Sequence, residues 1–283
     1  MDAVSAVNSD AHTRPDTPLR SATSRPSRPR FVVPKSDAFF APQEEAHRGE
    51  YQTYSHYNYL RPGVIPSIKR RRFEVALRLA EPYLGRGAAL DFGCADGILL
   101  PSLAREFPIA VGIDRERAAV DVARAVVADL KLDNVTLVYS GDRADGIPLS
   151  VPHAPFRAIF LLETLEHVGE PGNLVPVQCA FVRRLAEWLE PDGAMVISVP
   201  RMVGFGFLAK YVGKRIARIR GDAITWPEAL RAGLLNDTSA LARQWSGSHE
   251  GFNDLALERA LKIEFRVTRH LTLFSRFWVV KKK

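Results

Sequence analysis

Ala88-Ala89-Leu90-Asp91-Phe92-Gly93-Cys94-Ala95-Asp96-Gly97 is the stretch of this 283-residue chain that decides its fold. A short apolar run ends at an acid and is followed at once by a turn with two glycines. Such a run predicts a buried β-strand that carries Asp91 at its carboxyl end, followed by a helix after Gly97. Because glycine has no Cβ, Gly93 and Gly97 let a ligand approach the backbone. The stretch therefore predicts a ligand site at a strand–turn–helix junction.

Outward from this stretch, strand and helix patterns alternate. We predict strands at 88–92, 109–114, 135–140, 158–162 and 194–199, and helices at 68–84, 98–106, 117–130 and 175–189. This alternation is typical of βαβ units, which give a parallel sheet with helices on both faces. The last two strand patterns, 265–271 and 277–282, are too close for a crossover helix and predict an antiparallel hairpin. The expected fold class is α/β, a Rossmann-like, doubly wound and mostly parallel seven-stranded sheet that ends in an antiparallel hairpin strand.

Composition divides the chain into a tail and one domain. Residues 1–35 repeat proline among Ser, Thr and Arg, which predicts a disordered basic tail. Residues 36–283 are expected to form a single domain, with a lead-in and helix at 36–85 and a lid or substrate-binding insert at 201–262. The basic run Lys69–Arg72 is interpreted as a solvated helix face.

The cysteine count and the hydropathy limit the class of protein. Cys94 and Cys179 are the only cysteines, which argues against a disulfide framework and a structural zinc. No apolar run approaches the ~20 residues that cross a bilayer, and the N-terminus lacks the apolar segment of a secretory signal. We expect a soluble, cytoplasmic protein that holds no metal.

The net charge of +7 is local. Residues 1–35 and 201–221 together carry nine net positive charges, so the rest of the chain is near −2. This distribution argues against a core domain built to hold nucleic acid. The segment 205–220 has an apolar stripe (Leu208, Val212, Ile216, Ile219) and a basic stripe (Lys210, Lys214, Arg218) at helical spacing. Such a helix fits either a lid over the active site or peripheral contact with the inner face of the membrane.

The ligand at the turn is indicated by two acids and the glycine spacing. The second predicted strand ends at Asp114, 23 positions after Asp91. An acid about 20 residues after such a loop is placed to accept hydrogen bonds from ribose hydroxyls. The glycines are spaced Gly93-x-x-x-Gly97, unlike the GxGxxG of dinucleotide sites. Asp91 would also repel a pyrophosphate and suits a cationic ammonium or sulfonium, which favours S-adenosylmethionine over NAD.

The stretch Leu90–Gly97 resembles the first motif of the class I S-adenosylmethionine-dependent methyltransferases, usually LDxGCGxG, with Ala95 where a glycine is common. The segment 160–168 resembles the fourth-strand motif of that family, which often ends E-x-L-E-H-V. The segment 188–200 resembles its "L-x-P-G-G, strand, P" pattern, and 248–252 resembles a C-terminal pattern of bacterial members of uncertain substrate. The resemblance implies that S-adenosylmethionine is the cofactor. It implies that the cofactor is bound by Asp91, Gly93, Cys94, Ala95, Gly97, Asp114, Arg115, Asp142, Arg143 and Leu162.

Methyl transfer is an in-line displacement, so the protein has to orient the reactants and exclude water, with a base only where the nucleophile is protonated. His167 and Glu163 are the candidate catalytic residues, and the alternative is that His167 and Glu166 cap or pack in the first turn of a helix. His249 is either a substrate-binding residue or a group that fixes its loop. Cys94 is expected to pack beneath the ligand rather than act as a nucleophile.

The predicted function is transfer of the methyl group to a small-molecule, lipid-linked or saccharide-linked acceptor at oxygen. The alternatives are RNA methylation aided by the basic segments, a catalytically silent S-adenosylmethionine-binding protein, and an NAD-dependent oxidoreductase. The acceptor itself is not identified by the sequence.

Overall fold

The computed structural model describes residues 30–40, 53–141, 146–216, 224–247, 249–272 and 274–283. Seven strands lie in one sheet within these residues. They are β1 (Ala88–Phe92), β2 (Ile109–Asp114), β3 (Val135–Tyr139), β4 (Phe156–Leu162), β5 (Leu189–Pro200), β6 (Phe265–Leu271) and β7 (Ser275–Lys282). Their order is β3-β2-β1-β4-β5-β7-β6, and the first five strands pair in parallel. Strand β7 pairs antiparallel with both β5 and β6. The predicted fold class is confirmed.

Eight α-helices surround the sheet in the described residues. They are α1 (Val64–Leu79), α2 (Leu100–Glu106), α3 (Arg117–Asp129), α4 (Leu174–Ala186), α5 (Phe205–Ile216), α6 (Trp226–Leu230), α7 (Ser239–Arg243) and α8 (Asp254–Glu264). Helix α1 begins four residues before the predicted start, with Pro66 in its first turn, where its missing N–H costs nothing. None of these helices is long and apolar enough to cross a bilayer.

The hydrophobic core has two layers, one on each face of the sheet. Neighbouring residues on a strand point to opposite faces, so Leu90 packs with α4 and α8 whereas Ala89 packs with α1 and α2. Phe160 and Leu161 divide in the same way on β4. A fully buried side chain of this size contributes roughly 2 kcal/mol. Helices cover both faces, as the doubly wound prediction requires.

The lead-in packs on the α1 face of the sheet. Phe31, Phe39 and Tyr59 are buried there, and Phe31 lies against Phe73 of α1 with ring centroids 4.8 Å apart. Residues 30–35, which belong to the predicted disordered tail, are therefore packed against the domain; residues 1–29 lie outside the described residues.

The insert after β5 forms a small helical layer. Helix α5 buries Phe207 and Tyr211, while Leu208 and Val212 are half-buried and Ile216 is exposed. The buried stripe is therefore one position away from the predicted one. The Tyr211 hydroxyl donates to the Ile224 carbonyl at 3.0 Å, which gives its polar end a partner inside the insert. Ile219 and Arg218 of the predicted stripes lie outside the described residues.

Candidate functional site

The candidate site lies at the carboxyl ends of β1, β2 and β4. The chain passes from β1 to β2 on one side and later to β4 on the other, so β1 is where the strand order reverses. Open α/β sheets bind ligands outside the carboxyl ends of the strands at such a switch point. The strand pairing sets Asp91 beside Gly112 and beside Phe160, which brings the loops after all three strands together.

The turn after β1 curls over the end of β2. The backbone N–H groups of Gly93 and Cys94 both donate to the Ile113 carbonyl, at 2.8 and 3.0 Å. Ala95, in the usual glycine position of the motif, has φ 48°, so it adopts a left-handed backbone despite its Cβ. Cys94 is buried, and a Cβ on Gly112 would lie 3.0 Å from its Sγ. Cys94 therefore packs between the turn and β2, and burial raises the pKa of its thiol well above the usual range.

Gly93 is held between this turn and the chain after β4. Its φ is 79°, and a Cβ there would lie 2.4 Å from Thr164 Oγ1 and 2.7 Å from Thr164 Cγ2. The Thr164 hydroxyl donates to the Phe92 or Leu162 carbonyl, each at 3.3 Å. Because Gly93 has no side chain, the turn after β1 (residues 93–97, the cofactor-side turn) can contact Thr164 in the turn after β4.

Asp114 is fixed by two backbone donors. The Ala95 N–H donates to Oδ2 at 2.7 Å and the Glu116 N–H donates to Oδ1 at 2.9 Å. A carboxylate offers about four acceptor positions, so both oxygens keep one for a ligand. Burial raises the pKa of Asp114, and these two N–H groups oppose the rise. The structure therefore brings Asp114 directly against the first turn.

Asp91 is buried at the end of β1, and burial together with the nearby Asp114 raises its pKa to about 7. Two carboxyl groups thus lie close together in a poorly solvated place, which favours a cationic ligand that neutralises them. Leu162 is half-buried at the end of β4 and Arg115 is exposed after β2. Asp142 and Arg143 lie outside the described residues.

A second set of polar side chains follows β4. Glu163 has a left-handed backbone (φ 53°), its N–H donates to the Ser198 carbonyl, and its Oε1 accepts from Ser198 Oγ at 3.2 Å. Leu165–His167 then form a single 3-10 turn, which ends well before α4 begins. His167 and Glu166 therefore lie in an isolated turn rather than in the first turn of a helix.

This turn meets the loop before α8, as the imidazole rings of His167 and His249 lie 4.7 Å apart. His167 Nδ1 is 2.6 Å from the Gly247 carbonyl, which only accepts, so Nδ1 carries the proton and donates. Nε2 of a neutral His167 is then the free acceptor. Both imidazoles are exposed, His249 with 49% of its side chain. The structure thus groups two candidates that are 82 positions apart.

Glu166 is fully buried, and among the described residues neither of its carboxylate oxygens has a hydrogen-bond partner. Its Oε1 lies 3.5 Å from His249 Nδ1. Burial, and next the charge of Glu163, raise the pKa of Glu166 to about 8. Partial desolvation of its ring lowers the pKa of His249, although about half of the side chain is exposed. Buried acids without a partner are costly, so Glu166 is the group in this site whose presence most needs a ligand to explain it.

Arg72 was not anticipated as a site residue, and the interpretation of 69–72 as a solvated face is wrong for it. Only 14% of its side chain is exposed, and it lies 3.7 Å from Glu163 and 5.5 Å from the centre of the Tyr59 ring. Burial alone would lower its pKa, but Tyr59 and Glu163 raise it, so the guanidinium is charged. Its helical phase, four residues before the buried Ala76, is the signal that places it inside.

The lead-in is attached to the cofactor-side turn through Asp96. The Ser55 N–H donates to Asp96 Oδ2 at 2.6 Å, and the Ser55 hydroxyl donates to Oδ1. Burial raises the pKa of Asp96 to about 6, and the bonds from Ser55 oppose the rise. The sequence motif assigns no role to Asp96, and in the structure it anchors residues 53–60.

Comparison with known proteins identifies the class of this site. Residues 68–275, more than half of the chain, match the family described as "Methyltransferase domain". The PH0226 protein from Pyrococcus horikoshii has a similar structure, with a TM-score of 0.53 and 18% identity over 81% of this chain and 96% of that one. At that identity the likeness shows the fold alone.

Two curated relatives are ubiquinone biosynthesis O-methyltransferases. The protein from Caulobacter vibrioides is 27% identical over 201 residues, which cover 69% of this chain and 75% of the relative. The protein from Neisseria meningitidis is 34% identical over 111 residues, 38% of this chain and 42% of the relative. The chain spans about half the length of most of the curated relatives it matches.

Proposed function

The chain belongs to the S-adenosylmethionine-dependent methyltransferase family, and we propose that it moves the donor's methyl group to a hydroxyl oxygen of a small-molecule acceptor. The observation that carries this proposal is the polar cluster after β4, which touches the cofactor-side turn through Thr164 and Gly93. An acceptor held at that cluster would lie beside the donor. The family assignment disfavours the NAD-dependent alternative.

The residues of the turn fit S-adenosylmethionine. Asp114 keeps two acceptor positions, one on each oxygen, for the ribose hydroxyls. Asp91 would supply negative charge for the ammonium group of the donor, which in turn favours the ionised form of this buried carboxyl group. Bound S-adenosylmethionine supplies a sulfonium methyl group that is electrophilic without further activation.

The work left to the protein is orientation and handling of one proton. Gly93 and Thr164 fix the distance between the two turns, which sets where an acceptor can sit. Nδ1 of His167 is engaged by Gly247, so Nε2 is the ring nitrogen that could accept a proton from the acceptor hydroxyl. Arg72 lies 3.7 Å from Glu163 and offsets its negative charge. We place removal of the acceptor proton in this cluster.

Oxygen is proposed as the accepting atom because the relatives are named as O-methyltransferases. A hydroxyl has to lose its proton during the reaction, and the carboxylates and imidazoles after β4 are the groups that such a step requires. RNA methylation and a catalytically silent protein remain the competing readings of the same fold. An RNA methyltransferase would transfer the methyl group to RNA, and a silent protein would bind S-adenosylmethionine without transferring the methyl group.

Methyl transfer is tested with radiolabelled S-adenosylmethionine and fractionated cell extract. We expect label in a small-molecule or lipid fraction, and we expect His167→Ala to lower that transfer at least about tenfold. Donor affinity, measured by calorimetry, should stay unchanged because His167 contacts the acceptor side. His270→Ala, an exposed histidine on β6, is the matched control. Label in RNA alone, or full transfer by His167→Ala, would contradict the assignment.

We also propose that the insert contacts an anionic membrane surface, so that a lipid-linked acceptor enters from there. Phe205, Ile216, Leu234 and Leu235 are each at least 59% exposed on the insert. Apolar side chains of this exposure beside Lys214 and Arg215 form the amphipathic pattern that binds anionic lipid.

Membrane contact is tested by sedimentation with phosphatidylserine-containing vesicles. The full chain should sediment with them and stay in solution with neutral vesicles. Replacing Phe205 and Ile216 together with serine should remove most of the binding, since the apolar contribution is lost. Equal sedimentation of this variant would exclude the insert as the contact.

A further inference from the structure

We propose that Glu166, His167 and His249 bind one divalent transition-metal ion, and that this ion holds the accepting oxygen. This proposal deepens the proposed methyl transfer and rests on it for the identity of the oxygen. Each of the three residues offers one ligand atom, and these atoms all lie within 4.8 Å of one another. They come from two separate segments, the 3-10 turn after β4 and the loop before α8, which meet only in the folded chain.

The tautomer of His167 is the one that a metal ligand needs. Its Nδ1–H is committed to the Gly247 carbonyl at 2.6 Å, so Nε2 keeps its lone pair. Metal-binding histidines usually donate their other N–H to a carbonyl or carboxylate, which fixes the ring and raises its basicity. Because the ring is exposed, an ion can reach Nε2 from solvent. The hydrogen bond therefore orients His167 in advance.

Glu166 would supply the negative charge once an ion is bound, because a cation beside a buried carboxyl group favours its ionised form. It is fully buried, yet neither oxygen accepts a hydrogen bond from any described residue, and Oε1 lies 3.5 Å from His249 Nδ1. The Arg72 guanidinium pairs with Glu163. An ion between Glu166 and the two imidazoles would give the buried carboxylate the partner that it otherwise lacks.

The ligand set favours one class of ion. Imidazoles suit zinc, iron, cobalt and nickel, whereas magnesium and calcium prefer oxygen ligands throughout. Two imidazoles and one carboxylate at about 2.1 Å leave coordination positions open. The ligand atoms lie within 4.8 Å of one another, and the side chains would move inward to reach an ion at about 2.1 Å. We therefore expect a first-row transition ion, with Mg²⁺ bound more weakly.

With Nε2 of His167 bound to the ion, that nitrogen no longer takes the acceptor proton, and the chemistry balances without another reactant. A hydroxyl held by the ion loses its proton to bulk water more readily, because the ion lowers the pKa of a bound oxygen. The oxygen–carbon bond then forms as the sulfur–carbon bond of the donor breaks. The sulfonium becomes a neutral thioether and the acceptor becomes an ether.

Calorimetry on the full chain, first stripped with a chelator, tests the site without any acceptor. Co²⁺, Mn²⁺, Zn²⁺ and Mg²⁺ are titrated separately. We expect one transition ion per chain, and at least about tenfold weaker binding for Glu166→Gln and for His249→Ala. His270→Ala is the matched control and should bind as the wild type does. Donor affinity and thermal unfolding of each variant show whether it is folded.

The outcomes separate this proposal from the proposed function. Absence of ion binding at millimolar concentration, or binding that Glu166→Gln and His249→Ala leave unchanged, would overturn the metal site. Methyl transfer that persists undiminished after chelation would overturn the role in holding the acceptor. If the ion binds as expected while no extract fraction accepts a methyl group, the proposed function fails and the metal site stands.

Discussion

Asp114→Ala is expected to weaken S-adenosylmethionine binding by about a hundredfold. The carboxylate is held by the Ala95 and Glu116 backbone donors and keeps one acceptor position on each oxygen. Two ribose hydroxyls would fill these positions, and a hydrogen bond to a charged acceptor contributes roughly 1.5–3 kcal/mol. Calorimetry with the purified chain measures the change. Asp121→Ala, an exposed acid on α3, removes the same charge and should leave affinity unchanged.

The alanine variant also removes the acceptor of the Ala95 N–H, so it could loosen the turn. A donor analogue without the two ribose hydroxyls separates the two effects, because its affinity should hardly differ between the wild type and Asp114→Ala. If the variant loses the same factor for both ligands, the loss comes from the turn and not from the hydroxyls. Wild-type affinity for S-adenosylmethionine in the variant would refute the ribose assignment.

Gly93→Ala is expected to lower the free energy of unfolding by about 2–4 kcal/mol. The new Cβ would lie 2.4 Å from Thr164 Oγ1, and the backbone at φ 79° is strained for any residue with a Cβ. Overpacking costs about 1–3 kcal/mol and the left-handed backbone about another 1 kcal/mol. Urea unfolding followed by circular dichroism measures the loss, and Gly146→Ala is a control with similar φ and open space around it.

Thr164→Gly in the same chain tells the two causes apart. It removes the side chain that the new Cβ would meet and leaves the backbone strain. Adding Gly93→Ala to Thr164→Gly should therefore lower the free energy of unfolding by less than Gly93→Ala does in the wild type, because only the backbone strain remains. A double variant as unstable as the sum of the two single changes would show that Thr164 does not limit position 93.

The donor half of the site was predictable because its determinants are local in sequence. Asp91 and Asp114 end two strands whose apolar runs are unambiguous, and parallel pairing of neighbouring strands brings their ends together. The separation of 23 positions between Asp91 and Asp114 was therefore sufficient to assign both acids to one site. Their roles toward the donor stay predictions until binding is measured.

The acceptor half was only partly predictable because its residues meet through tertiary packing. His167 and His249 were singled out separately, but nothing in their spacing indicates that their rings lie 4.7 Å apart. Arg72 belongs to a basic run in which Lys69 and Arg70 are half-buried and Arg71 is exposed, so the run as a whole indicated a solvated face. In α5, Phe207 and Tyr211 form one apolar stripe, and Leu208 and Val212 form a neighbouring stripe with the same spacing. Periodicity alone therefore could not predict which of the two stripes is buried.

The bond between Ser55 and Asp96 bears on where the smallest autonomous catalytic unit begins. The family match starts at residue 68, yet Asp96 of the cofactor-side turn accepts hydrogen bonds from Ser55, which lies thirteen positions before that start. A fragment that begins at residue 68 would leave the buried Asp96 carboxylate without its two Ser55 donors. Recombinant shortening, domain fusion and comparison of family members should therefore count residues 53–60 as part of the enzyme, although they belong to none of its recognisable motifs.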